Sequence, residues 1–218
     1  MQNCLNYIRF LTTNSDLIRS LFLVILIKRY NMSDVIKFNT ETQAFGVQRA
    51  VVKCSGYGLG ELTKGMKKGL EIGCSEAHTS KFLLDTNPEL TLYSIDPYVP
   101  YTDWNGNVLN DREEFFQRVT KEMAVYGDRF ILIRDFSDNV FERFEDGEFD
   151  FIFIDGLHTY EQLTKDCHNY YSKVKVGGIF SGHDYEVIPG VNRAVKEFAP
   201  TKTDKVLTTE CDVWYWYK

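Results

Sequence analysis

From about residue 68 onward, short runs of consecutive apolar residues alternate with segments whose apolar positions recur every three or four residues. Five runs stand out, at 69–73, 91–96, 130–134, 150–155 and 178–182. They are apolar almost throughout, as strands are when helices cover both faces of a sheet. Helical patterns fill the gaps, at 79–86, 112–126, 138–144, 160–174 and 191–198, the last stopped by Pro200. Strand and helix in alternation predict a parallel α/β sheet. Two β-type runs close the chain, at 205–209 and 213–217. The gap between them is too short for a parallel crossover, so they form an antiparallel hairpin at one sheet edge. Upstream, 43–53 and 61–67 read as covering helices, and the glycine-rich stretch Gly56 to Gly60 as a flexible turn. Asn110 with Glu113, and Thr159 with Gln162, have capping-box spacing. Ser137 is placed to cap the helix that follows it.

The 218 residues suit one domain, and 44% hydrophobic content supplies its core. A net charge of −6 with no basic block argues against a nucleic-acid or anionic-membrane partner. The five scattered cysteines form no CxxC pair, so no zinc knuckle or disulfide framework is expected. They read as free thiols in a reducing, cytoplasmic setting. The apolar run Leu21 to Ile27 is too short to span a bilayer and lacks the cleavage site of a secretory signal. Met32 stands where the globular pattern begins. Residues 1–31 are therefore either an extension ahead of the native start or an added helix, and 32–218 form the domain.

The first strand ends in Glu71-Ile72-Gly73-Cys74-Ser75-Glu76-Ala77-His78. Open α/β sheets bind ligands at this carboxyl edge. A dinucleotide fingerprint needs two more glycines, but Ser75 and His78 hold those positions. Glu76 also brings negative charge where a pyrophosphate would sit. NAD and FAD are disfavoured. An acidic loop suits a cationic sulfonium such as that of S-adenosylmethionine (SAM), whose carboxylate can still use loop amides. The second strand ends at Asp96, where an acid can accept hydrogen bonds from ribose hydroxyls. Ordinary turn chemistry before Pro97 is the plainer alternative.

The most specific stretches are Phe149-Asp-Phe-Ile-Phe-Ile-Asp155-Gly156-Leu157-His158-Thr159-Tyr160 and Gly177-Gly178-Ile179-Phe180-Ser181-Gly182-His183-Asp184-Tyr185. They closely resemble class I, Rossmann-like methyltransferases of the "methyltransferase domain 24" type, over about residues 45–217. The resemblance implies a seven-stranded, mostly parallel sheet with a C-terminal antiparallel hairpin. It implies SAM as cofactor. Glu71 and Gly73, with Ser75 in the same loop, would line its methionine end. Asp96 would hold the ribose, and Phe136 and Ser137 would lie near the adenine. One departure is Ala77, where the family usually has a second glycine; the loop is expected to survive it.

Adjacent parallel strands bring Asp155 and Asp184 to one edge. Two carboxylates beside a cofactor cleft can hold a hard cation such as Mg2+, with His183 as a third ligand. Related methyltransferases with acids here use such a metal to orient acceptor hydroxyls. His158 can take the hydroxyl proton, and Asp155 can also contact SAM. Against these roles, Asp155 can simply cap a helix, and the two histidines can simply order their loops. The leading reading is O-methylation of a hydroxyl on a small polar acceptor such as a sugar or glycan. An N-methyltransferase, or a catalytically silent SAM-fold binding module, are the alternatives. The segment Tyr98 to Asn107 reads as a lid or acceptor platform, in which Tyr101 and Trp104 can stack on a ring. The aromatic tail Trp214 to Tyr217 offers area to a homo-oligomeric interface, though alternation turns half of it to the core.

Overall fold

The computed structural model describes residues 56–103 and 106–218. The expectations for residues 1–31, Met32, the helix at 43–53 and Trp104 lie outside these residues. A helix over 56–62, α1, leads into β1 (Lys68–Ile72) and α2 (His78–Thr86). Then come β2 (Thr91–Ile95), a small hairpin of β3 (Tyr101–Thr102) and β4 (Val108–Leu109), and α3 (Arg112–Met123). β5 (Phe130–Ile133), α4 (Ser137–Val140), β6 (Phe149–Ile154) and α5 (Tyr160–Tyr170) follow. The chain closes with β7 (Val174–Gly182), α6 (Pro189–Phe198), β8 (Leu207–Thr208) and β9 (Trp214–Tyr217).

Seven strands form one sheet in the order β5-β2-β1-β6-β7-β9-β8. The first five are parallel, and β9 runs antiparallel to both its neighbours. The strand order reverses at β1, flanked by β2 and β6, which makes the carboxyl ends there the expected ligand crevice. Each central strand feeds two cores by its twofold alternation. Ile152 and Ile154 of β6 pack with Val191 and Val195 of α6 on one face, whereas Phe151 and Phe153 pack with Leu83, Leu84 and Val119 on the other. In the tail, Trp214 and Trp216 are buried and stacked, while Tyr217 is exposed. The tryptophans are therefore core residues and offer nothing to an interface.

Three local readings of the sequence are corrected. Residues 56–62 are helical, not a flexible turn. Their glycines admit a close neighbour: a Cβ at Gly60 would lie 2.8 Å from the Phe82 ring of α2. Asn110 and Glu113 make no capping box, since the residue before α3 is Asp111 and no side chain caps it. Ser137 lies inside α4 behind Phe136, and its hydroxyl serves the core instead. Thr159 does cap α5, accepting from the Gln162 N–H at 3.3 Å. Among the described cysteines, Cys74 and Cys167 are free and buried, while Cys211 is disulfide-bonded, against the expectation of free thiols throughout. No helix among the described residues is long and apolar enough to cross a membrane.

Candidate active site

The sheet register assembles the site. Ile72 pairs with Ile95 and Ile154, Ile95 pairs with Ile133, and Ile154 pairs with Gly182. The next residue on each strand therefore falls in one row along the carboxyl edge: Gly73, Asp96, Arg134, Asp155 and His183. Backbone strain gathers at the same edge. Among the described residues, the non-glycine positions with positive φ are Ser75, Ala77, Tyr98, Asp184 and Asp212, each in a connection that follows β1, β2, β7 or β8. Strained backbone persists where surrounding structure over-determines it, and it concentrates at functional sites.

The loop after β1 is fitted tightly against β6. Gly73 has φ +96°, and a Cβ there would lie 2.1 Å from the Asp155 carbonyl oxygen. Its N–H donates to the Ile95 carbonyl at 2.8 Å. Ala77 then adopts a left-handed conformation at φ 56°, so the missing second glycine is tolerated at a cost in strain. Glu71 supports this loop from beneath. It is buried, and its Oε2 accepts from the Ser80 hydroxyl and from the Ser94 hydroxyl at 2.5 Å. Burial pushes its carboxyl up to about 7, against the opposing pull of those two hydroxyls. Glu71, the residue expected at the methionine end, thus also supports the loop through its Oε2. Glu76 pairs with Arg118, which offsets the charge the sequence places in the loop.

Asp96 joins the first two tips. Its Oδ2 accepts from the Ser75 N–H and its Oδ1 from the Tyr98 N–H, both at 2.8 Å. The Tyr98 hydroxyl donates to the Ser75 carbonyl at 2.9 Å. Ser75 and Asp96 are thus brought together, and Tyr98, read from the sequence as the start of a lid or acceptor platform, is buried and locks them. At the β5 end Phe136 stands 52% exposed, available as a platform. Ser137 is turned away, its hydroxyl donating to Asp166 at 2.7 Å. Phe136 is thus open to a ligand at this end, while the Ser137 hydroxyl is engaged with Asp166.

Asp166 gives a pH prediction. Burial pushes its carboxyl up to about 7, although Ser137 and Gln162 donate to it. The folded state therefore keeps a proton that the unfolded chain, with a carboxyl near ~3.9, has already lost. This stabilisation is full below pH ~4 and disappears as pH rises through about 7. Asp166→Asn retains the acceptor oxygen without the charge. It should leave the thermal midpoint nearly unchanged at pH 4.5 and raise it by about 5 °C or more at pH 8. Equal shifts at both pH values, read by calorimetry, would refute the assignment.

The last cluster spans β6 and β7. His158 Nε2 lies 3.0 Å from Asp155 Oδ1 and 3.1 Å from Asp184 Oδ2. Burial lowers the His158 pKa, but the bond to Asp155 and the charge of Asp184 outweigh it, and the net shift is upward. Burial raises Asp155, yet the bond from His158 and the charges of both histidines hold it below its usual value. Asp155, His158 and Asp184 can each offer one donor atom, all within 4.8 Å of one another. His183 is placed differently from the expected ligand role. Its Nε2 donates to the Cys211 carbonyl at 2.9 Å and its Nδ1 faces Asp184 Oδ1 at 3.1 Å. Burial pulls it down, but Asp184 and Asp155 push it up to about 9. Its Nδ1 also lies 3.9 Å from Asp155 Oδ1, while the close donor group is made by Asp155, His158 and Asp184.

The fold agrees with what the chain is similar to. An O-methyltransferase from Bacillus cereus, solved in complex with S-adenosylhomocysteine (SAH), superposes with a TM-score of 0.58 at 14% identity, covering 88% of this chain and 97% of that one. The O-methyltransferase TomG from Streptomyces achromogenes, involved in tomaymycin synthesis and solved with SAM, superposes with a TM-score of 0.53 at 13% identity, covering 88% and 96%. No curated protein sequence matches the chain. The sequence profile of the family described as "Methyltransferase domain" matches residues 70–185, more than half of the chain and all of the strand tips just described. The chain therefore belongs to this family of SAM-dependent methyltransferases.

Proposed function

We propose that the protein transfers the SAM methyl group to a hydroxyl of a small polar acceptor, such as a sugar or glycan, with His158 taking the hydroxyl proton. The observation that carries this reading is His158 Nε2 held between two carboxylates at the cofactor edge. An Nε2–H given to Asp155 and Asp184 fixes the tautomer and leaves Nδ1 as the proton acceptor. In the reaction the acceptor oxygen forms the O–CH3 bond as the C–S bond breaks. The electron pair stays on sulfur, giving neutral SAH, and the proton passes to the imidazole. An amine already neutral at working pH would need no such base, so the histidine favours oxygen over nitrogen.

The donor set also fits a divalent cation, since two carboxylates and an imidazole are common ligands for one. Asp155 and Asp184 would hold it, with His158 beside them. When bound, Mg2+ there would lower the hydroxyl pKa and fix its direction. The exposed lid segment around Tyr101 and the acidic edge suit a neutral or cationic acceptor. Among the described residues, the free thiols of Cys74 and Cys167 support the cytoplasmic location expected from the cysteines.

Labelled methyl groups should pass from SAM into hydroxyl-bearing acceptor pools. Absence of transfer into any pool, with SAH binding intact, would favour a silent binding module. Dialysis against a chelator should lower turnover about tenfold or more, with recovery on adding Mg2+ or Mn2+. Full turnover in chelator would remove the cation and leave the histidine to act alone.

A further inference from the structure

Arg112 opens α3 and is only 5% exposed. Its Nη2 donates to Ser75 Oγ at 3.4 Å and lies 3.7 Å from Asp96 Oδ2. Its Nε is buried without a hydrogen-bond partner. The rings of Tyr98, Tyr101 and Phe115 stand 5.9, 5.3 and 5.0 Å from the guanidinium carbon. Burying a guanidinium is costly unless a charged partner bonds to it. Asp96 offsets part of that cost as a charge 3.7 Å away, but it makes no hydrogen bond to the guanidinium. Both Asp96 oxygens also accept backbone N–H groups already. The rings offset part of the cost through cation–π attraction, but they use no N–H donors. Of the five donors a guanidinium carries, one long bond to Ser75 is made among these residues.

We propose that Arg112 binds the carboxylate at the amino-acid end of SAM. The assignment rests on the cofactor pocket described above and names the group that recognises one end of the cofactor. SAM carries a sulfonium, an ammonium and a carboxylate. Asp96, Asp155 and Asp184 at the strand tips suit the two cations and repel the anion. The anion needs a cation next to the glycine bend, and Arg112 reaches Ser75 in that loop. Two other arginines near this end are engaged: Arg118 with Glu76 in the loop and Arg134 with Glu113. A planar guanidinium with an unspent Nε suits a two-pronged carboxylate contact. The same residue ties the lid to the pocket, since Tyr101 of β3 stacks over it.

Calorimetric titration with SAH and with its decarboxylated analogue, which lacks only the carboxylate, tests this directly. The wild type should bind SAH about 10- to 100-fold more tightly than the analogue, the range expected for a charge-assisted contact. Arg112→Met should bind the analogue as the wild type does and bind SAH no better than the analogue. Arg112→Lys keeps the charge without the fork and should fall between. Equal wild-type affinity for both ligands would overturn the assignment while leaving the pocket in place. A proportional loss of both ligands in Arg112→Met would also overturn it, by making the residue structural. Failure of the wild type to bind either ligand would sink the pocket and the assignment together. Should Arg112→Met fail to fold, the wild-type ratio and Arg112→Lys still decide.

Discussion

Replacing His158 with alanine is expected to lower turnover about 10²–10⁴-fold, the usual contribution of a positioned proton acceptor, while SAH affinity stays within about twofold. The split follows from where the ring sits. His158 touches Asp155 and Asp184, whereas the Ser75–Asp96–Tyr98 lock forms without it. Removal leaves two carboxylates facing each other, so His158→Gln is the better companion. Its amide N–H can still donate to both oxygens but cannot take a proton at neutral pH. Both variants should lose turnover alike. Affinity for SAH falling in step with turnover would make the residue structural, and activity retained in the glutamine variant would remove its role in proton transfer.

Gly73→Ala is expected to cost about 3 kcal/mol or more of stability and to abolish detectable SAH binding. Two penalties add. The φ of +96° is unfavourable for any residue with a Cβ, and that Cβ would meet the Asp155 carbonyl at 2.1 Å. A backbone oxygen cannot swing aside as a side chain does, so the tips of β1 and β6 must part. Gly156→Ala is the control one residue beyond Asp155. Its Cβ would make an ordinary 3.5 Å contact with Ile72, and near wild-type binding is expected. Normal SAH affinity in Gly73→Ala would show that the close approach of these two tips is not what shapes the pocket.

The strands were legible because burial on both faces leaves near-continuous apolar runs, and their ends marked Gly73, Asp96 and Asp155 directly. The antiparallel hairpin followed from spacing alone. Misreadings arose where a tertiary neighbour overrides local preference. Glycines in α1 look like turn residues until Phe82 fills the space beside them. Ser137 has the chemistry of a cap but is drawn to Asp166, twenty-nine positions away. His158 and His183 were both visible as candidates, and both rings face Asp155 and Asp184, yet no spacing rule says which of them also has a nitrogen given to the backbone. It is His183, whose other nitrogen the Cys211 carbonyl holds. Arg112 carried no signal at all. A single arginine starting a helix is ordinary, and only the fold shows its guanidinium buried among three rings beside the glycine bend.

A crystal structure of the SAH complex bears most directly on the pocket. The nucleoside should lie across the tips of β1 and β2, with its ribose at Asp96 and its sulfur facing Asp155, His158 and Asp184. Density for SAH at the opposite edge of the sheet would contradict this. The groove of about 370 Å³ lined by Lys67, Asp150 and Lys175 is the place to look for it.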